Sequence, residues 1–368
     1  MKSRLFVVDE RSFREAKEQK LVSVKVPSLK GKKKWLQTLF DIMADLLQID
    51  IGDYVFFWER KNSKNKNRIH GVYRVISKPY YESEADDSAY FRIHIEEAYC
   101  FKKPIEEYDI LNCPYQKPVL WSIIGKKVAG KNRGTSPLSI EEANYLIGLL
   151  IGSNPDYEFK KFKGNEVAVE NAISLQYDKI GPYGDAGSLS TINPSNLNFL
   201  MAEDERINVY FEKTLEAIFN YEMVFRRNEE LFKKIGVDIN KVIWFGNYLP
   251  YSITKNEMDY AIIESEDHSA YSKITVIEFM KKAIDIDHIE RSFRYSKWIQ
   301  ETLTFGSSIV QPVIICWDYP EPAGDKKALK EKRLKKCFDK YELNGDIKKL
   351  KIYTYGFKNG NIELVPKR

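Results

Sequence analysis

The chain reads as two domains: an α+β unit built around a small barrel over residues 1–150, and an α/β unit with a mixed central sheet flanked by helices over residues 205–368. Three observations predict this. Short runs rich in β-branched and aromatic residues follow one another closely in the first part. In the second part, apolar patterning gives a helix, three strands, a helix and a strand. Between them, residues 151–204 carry Gly181-Pro-Tyr-Gly-Asp-Ala-Gly-Ser188 and Asn193-Pro-Ser-Asn196, which suit neither helix nor strand interiors and read as a linker or insertion. A length of 368 residues is enough for each domain to bury its own core.

In the first domain, Arg4 to Val8 is a short apolar strand. Ser12 can cap a helix running through Lys20, and Trp35 to Leu47 has helical apolar spacing. Strands follow at Asp53–Trp58, His70–Ile76 and Tyr90–Ile95. Side-chain alternation puts Phe57 on the face opposite Phe56 and Trp58, so only one set is expected to face the core. In the second domain, a helix from Phe211 to Lys234 precedes strands at Lys241–Phe245, up to Ile263, and around Glu278. A helix over Arg291–Thr304, a buried strand over Ser308–Cys316 and a basic helix over Lys326–Lys340 complete it.

Composition narrows the function. Aromatic residues make up 13% and charged residues 30%, which argues for a folded chain rather than disorder. No apolar run approaches the length of a bilayer span, and Met1-Lys-Ser-Arg-Leu5 lacks a signal-peptide core, so no membrane partner and a cytoplasmic location are expected. The four cysteines show no Cys-x-x-Cys pair and the four histidines no zinc spacing, which argues against structural zinc and a disulfide framework. His268 and His288 lie near the acidic segments and read as loop or surface residues. No phosphate-binding Gly-x-x-x-x-Gly-Lys motif is present.

The net charge of +5 is unevenly spread. Lys20–Lys34 holds six lysines and no acid, Arg60–Arg68 holds five basic residues, and Cys113–Ile140 is basic without an acid. Such clusters either neutralise nucleic-acid phosphates or simply solvate loops. Lys33, Lys34 and Arg133 are the candidate phosphate contacts.

The chemistry concentrates in two strands. Asp259 lies in Glu-Met-Asp-Tyr, and nineteen residues later Glu278 lies in Lys273-Ile-Thr-Val-Ile-Glu-Phe-Met-Lys-Lys282. Two carboxylates side by side at strand ends suit a hard divalent cation, Mg²⁺ or Mn²⁺, and a following lysine adds charge where a phosphoryl transition state is most negative. Lys282 shares the Glu278 face in a regular strand, whereas Lys281 points away unless a bulge intervenes. Glu212 and Glu216, one helical turn apart, can bring a third acid, and Glu216 is preferred. The plainer alternative is an apolar core strand meeting solvent.

This arrangement resembles the PD-(D/E)xK nucleases, with Asp259 as first acid and Glu278 as second. Ile289-Glu-Arg-Ser-Phe-Arg-Tyr295 looks like the helix after the core hairpin of that family. The family lysine, two residues after the second acid, is replaced here by Met280. The resemblance implies a restriction-endonuclease-like fold, with Asp259, Glu278 and Glu216 around the metal and Lys281 or Lys282 assisting catalysis.

The first 150 residues resemble PUA-like domains, particularly the EVE and YTH branches. The resemblance rests on Leu5-Phe-Val-Val8, Ile51-Gly-Asp-Tyr-Val-Phe-Phe-Trp58, Ile69-His-Gly-Val-Tyr-Arg-Val-Ile76 with Pro79, and Asn132-Arg-Gly-Thr-Ser-Pro-Leu-Ser-Ile-Glu-Glu142. It implies a pocket in which aromatic rings hold a flipped base. Candidate walls are Trp35, Phe57, Trp58, Tyr73, Tyr90 and Trp121, with Tyr80 and Tyr81 beside them.

Together the two halves imply a modification-dependent DNA endonuclease acting in defence against foreign DNA, as a homodimer where both strands are cut. A structure-specific repair nuclease and a non-catalytic reader of DNA or RNA are the alternatives.

Overall fold

Strand β1 (Ser3–Val8) lies inside the first sheet because both its edges find partners: it runs parallel to β3 (Tyr54–Glu59) and antiparallel to β9 (Thr135–Leu138). In chain order, α1 (Glu10–Gln19), β2 (Leu21–Lys25) and α2 (Lys32–Leu46) lie between β1 and β3. After β3 come β4 (Arg68–Val75), β5 (Tyr80–Ser83), β6 (Ala89–Glu97), β7 (Tyr99–Cys100), β8 (Ile105–Glu106) and α3 (Glu107–Leu111). After β9 come α4 (Ile140–Ser153) and β10 (Glu158–Phe159). The sheet order is β2-β6-β4-β3-β1-β9, with β5 also on β6 and β8 also on β4. Apart from the β1/β3 pair its strands are antiparallel, and it forms a mixed α+β unit.

This computed structural model describes residues 2–26, 32–60, 67–83, 88–111, 135–175, 199–203, 206–209, 211–250, 257–266, 271–303, 308–319, 333, 335–339 and 348–368. Contacts divide the chain into two units. The first comprises Met1–Leu175, Asp185–Leu197 and Ile253–Lys255; the second comprises Gln176–Gly184, Asn198–Ser252 and Asn256–Arg368.

Several local readings need correction. The cap of α1 is Asp9, whose Oδ1 accepts from the Ser12 N–H at 2.7 Å, so Ser12 is the capped donor and not the cap. Part of the basic run from Lys20 to Lys34 is an edge strand, β2, paired with β6. Both faces of β3 are buried: Phe56 and Trp58 pack with Leu146 and Leu150 of α4, while Phe57 meets Phe13 of α1 at 5.5 Å. The alternation holds, but a helix covers each face, so neither side is open. The first unit also extends past 150. Phe159 pairs with Tyr99, the Val167 N–H donates to the Ile76 carbonyl at 2.7 Å, and Ala172 bridges to Tyr80.

The second unit begins with the hairpin β11 (Leu200–Glu203) and β12 (Arg206–Val209). The helical run expected from Phe211 to Lys234 is two helices, α5 (Glu212–Phe225) and α6 (Glu229–Ile235). Arg226 is left-handed at φ 50° and Asn228 caps the second helix, accepting from the Leu231 N–H at 3.1 Å. Then follow β13 (Val242–Pro250), β14 (Glu257–Glu264), β15 (Lys273–Ala283), α7 (Ile286–Thr302), β16 (Ile309–Asp318), β17 (Lys351–Lys358) and β18 (Asn361–Pro366). They form one sheet in sequence order, antiparallel except for the parallel β15/β16 and β16/β17 pairs. The terminal hairpin of β17 and β18 extends the sheet beyond the strands read from the sequence.

The basic helix expected over Lys326–Lys340 and the turn-rich runs at 181–196 lie wholly or largely outside the described residues. Among the described residues no helix is long and apolar enough to cross a membrane.

Candidate functional site

In the second unit, the apolar strands β14 and β15 pair antiparallel with Tyr260 opposite Ile277, which sets the acids Asp259 and Glu278 at adjacent strand positions. Asp259 Oδ2 accepts from the Phe279 backbone N–H at 3.0 Å. Glu278 is fully buried, and its Oε2 accepts from Arg291 Nε at 2.8 Å and meets the same guanidinium's Nη2 at 2.6 Å. Its other oxygen, Oε1, is buried without a hydrogen-bond partner. Arg291 belongs to α7, in the segment read as the post-hairpin helix, but its hold on Glu278 was not legible there.

Glu216, on α5, is equally buried. Its Oε2 accepts from Asn247 Nδ2 at 3.1 Å, and its Oε1 pairs with the Lys213 ammonium. The two glutamates belong to opposite faces of the sheet. Phe219 of α5 packs on Phe279 at 4.8 Å, whereas Met280, on the Glu278 side, packs with Ile289 and Phe293 of α7. Asp259 couples to both by charge. Glu212, the acid not preferred from the sequence, lies closer to β15: its carboxylate accepts from the Lys281 backbone N–H at 3.4 Å.

Burial and mutual repulsion tune these groups. Burial, with the Asp259 charge adding to it against Lys213 and Asn247, pushes the Glu216 carboxyl up to about 8. Glu278 is raised well above the carboxylate range by burial and then by Asp259, with Arg291 opposing. Glu212 is raised by desolvation around its carboxyl and by Asp259, although the residue as a whole is exposed.

Among the described residues, no three His, Cys, Asp or Glu side chains stand at metal-binding distance. The donors nevertheless fit a magnesium-like ion. Such ions need only one or two carboxylates besides water and substrate phosphate, and a buried carboxyl oxygen without a partner is an available ligand. Asp259 and Glu278 are the residues that would hold it. Both oxygens of Glu216 are engaged, which places it beside that pair rather than within it.

A bulge decides the lysine geometry. Between Met280 and Ala283, strand β15 contains one residue more than β16 does between Cys316 and Asp318. Regular alternation is lost there. Lys281 is half-buried with its backbone against Glu212, and Lys282 is exposed. His288 lies in the first turn of α7, with its ring against the capping Asp285; His268 is outside the described residues.

In the first unit, Phe57 and Trp58 are core side chains, and the buried Trp58 Nε1 has no hydrogen-bond partner. Tyr73 is buried with its ring edge-on to Phe57 at 5.2 Å, and burial raises its phenol pKa. Tyr90 is half-buried, with Arg92 at 5.1 Å from its ring. Trp35, Lys33 and Lys34 fall in α2, but their side chains lie outside the described residues, as do Trp121 and Arg133 altogether.

Sequence reasoning missed the polar centre of this face. Phe13 stacks on His70 at 4.0 Å, and the His70 ring bonds Glu59 at 2.7 Å. The two residues are eleven apart and meet only because β3 and β4 pair.

Three solved structures are similar over part of the chain. A hypothetical protein from Leishmania major is 10% identical with a TM-score of 0.30, covering 42% of this chain and 96% of its own. Human THYN1, solved in complex with DNA containing 5-methylcytosine, is 13% identical with a TM-score of 0.26, covering 41% and 98%. A Pseudomonas syringae protein is 10% identical with a TM-score of 0.27, covering 40% and 99%. No curated protein matches the chain. The EVE domain family model matches residues 16–146, so the first unit of this chain carries an EVE domain.

Proposed function

We propose that the chain is a modification-dependent DNA endonuclease, in which the EVE domain reads a modified base and the second unit hydrolyses a phosphodiester bond nearby. The observation that carries the catalytic half is the pairing of Asp259, anchored by the Phe279 N–H, with Glu278, whose Oε1 is left without a partner. The EVE match carries the reading half. Placing both on one chain raises the local concentration of the hydrolytic unit at a recognised site.

Mg²⁺ or Mn²⁺, when bound, supplies phosphate neutralisation and a lowered pKa for the attacking water. Asp259 and Glu278 would hold that ion. Arg291 keeps the Glu278 carboxyl oriented with Oε1 turned away from the guanidinium. Lys281 and Lys282 bring positive charge to the end of the same strand, where the scissile phosphate gathers negative charge in the transition state. Burial and the Asp259 charge push the Glu216 carboxyl up to about 8, so Glu216 adds little negative charge beside that pair at neutral pH. Cutting both strands calls for two such sites and hence a homodimer, in the setting of defence against foreign DNA.

A second reading has its own support. Met280 stands where the resembled nuclease family has lysine, and Arg291 already occupies one oxygen of Glu278. A reader without catalysis fits those two facts. Cleavage of matched duplexes carrying plain, methylated, hydroxymethylated or glucosylated cytosine, with Mg²⁺ or Mn²⁺ and a Glu278→Ala control, separates the two. Metal-dependent cutting of a modified duplex, lost in the control, is expected. Tight binding without cutting would establish the reader alone.

A further inference from the structure

Rings are normally turned inward, yet Phe159 is 49% and Tyr157 is 37% exposed in the first unit. They belong to an ordered group. Tyr99 stacks on Phe101 at 5.4 Å with 9° between planes, Phe159 lies 4.9 Å from Tyr99, and Tyr157 lies 5.7 Å from Phe101.

The group rests on a rigid base. Strand β10 pairs with β7, and the Lys160 N–H donates to the Ala98 carbonyl at 2.8 Å. The buried Asn154 accepts from the Lys102 and Lys103 N–H groups at 2.9 and 2.8 Å. The Arg74 guanidinium lies 5.0 Å from the Phe162 ring. The rings are therefore held in place before anything lands on them.

The charge around them is one-sided. Segments 99–103 and 156–163 contain Lys102, Lys103, Lys160, Lys161 and Lys163 against the two acids Asp156 and Glu158. Lys160 pairs with Glu97 at 2.8 Å, while the other four are exposed and make no ion pair among the described residues.

Exposed rings on segments that also carry exposed lysines without ion pairs are complementary to a polyanion with flat, apolar faces. In a duplex those faces are stacked inside, so surface rings reach only bases that are unpaired. We propose that this face, built from β7, β10 and the loops beside them, binds an unpaired nucleic-acid strand, with bases stacking on Tyr157 and Phe159 and phosphates meeting Lys102, Lys103, Lys161 and Lys163. Tyr157, Phe159, Lys161 and Lys163 lie beyond the residues matched to the EVE domain while Tyr99, Phe101, Lys102 and Lys103 lie within them, so the face straddles the end of that match, and it does not depend on catalysis in the second unit.

The test is fluorescence anisotropy of a fluorescein-labelled twelve-nucleotide oligothymidylate with the full chain. The Tyr157→Ala/Phe159→Ala variant is expected to bind about tenfold or more weakly. Its log K against log salt slope should match the wild type. The Lys161→Gln/Lys163→Gln variant is expected to flatten that slope by about 1.4, or about 0.7 per lost charge. Both variants should bind a duplex carrying 5-methylcytosine as the wild type does. Three outcomes would overturn the proposal: no binding of the oligomer by the wild type, undiminished binding by both variants, or a change in sedimentation mass on removing the two rings. The last would show that the face joins two copies of the chain.

Discussion

Two nitrogens of Arg291 converge on a single oxygen of Glu278, at 2.8 and 2.6 Å, while the other oxygen of that buried carboxyl has no hydrogen-bond partner. The guanidinium thus offsets part of the cost of burying a carboxylate without using up its ligating capacity. Arg291 is itself raised above its ordinary value; burial lowers it, but the Glu278 and Asp259 charges outweigh that.

Arg291→Ala should destabilise the protein by about 1–3 kcal/mol, because it strips a buried acceptor of its donors. The loss should be larger at pH 8 than at pH 5, because the guanidinium stabilises the charged carboxylate and not the neutral acid. Arg291→Ala combined with Glu278→Gln should recover stability at pH 8 relative to Arg291→Ala alone. Urea unfolding at both pH values measures this.

Asp259→Ala and Glu278→Ala should each abolish metal-dependent cleavage while leaving binding of the modified duplex within about twofold, since the EVE domain lies in the other unit. Gel shift and cleavage assays on the same duplex, with and without EDTA, give both readouts.

Stability should fall as pH rises from about 4.5 to 8 in the absence of divalent ions. Glu216 has a folded-state pKa of about 8, above its ordinary 4.5, so the folded state holds a proton that the unfolded state releases. Its favourable contribution is complete below the unfolded value and is lost as pH passes through the folded one. The slope from one such group is about 1.4 kcal/mol per pH unit within that window. Thermal melts across pH 4–9 should show the decline, and Glu216→Gln should flatten it. Mn²⁺ should reduce it, because a bound cation screens the acids around Asp259.

Asn154→Ala should cost about 2–3 kcal/mol. This buried side chain accepts from the Lys102 and Lys103 N–H groups and donates to the Lys103 and Leu150 carbonyls, at 2.8–2.9 Å throughout. Hydrogen exchange at the Lys102 and Lys103 amides should accelerate beyond the global effect.

What the sequence by itself determined is what local patterning controls. Apolar runs set the strands carrying Asp259 and Glu278, and the order of helix, three strands, helix and strand followed from apolar patterning. The capping box of α4, with Ser139 and Glu142 bonding each other's backbones, is local in the same way. Tertiary structure decided the rest, because those contacts join residues far apart in the chain. The helix break at Arg226 turns on a left-handed residue that composition does not mark. The covering of both faces of β3 requires α1 and α4 to pack from opposite sides. The bulge after Met280 breaks the alternation by which Lys282 would share the Glu278 face, and the docking of α7 gives Glu278 its arginine. The exposed ring group needs β10 to return to β7 across more than fifty residues, a pairing set by the fold and not by either segment's own pattern.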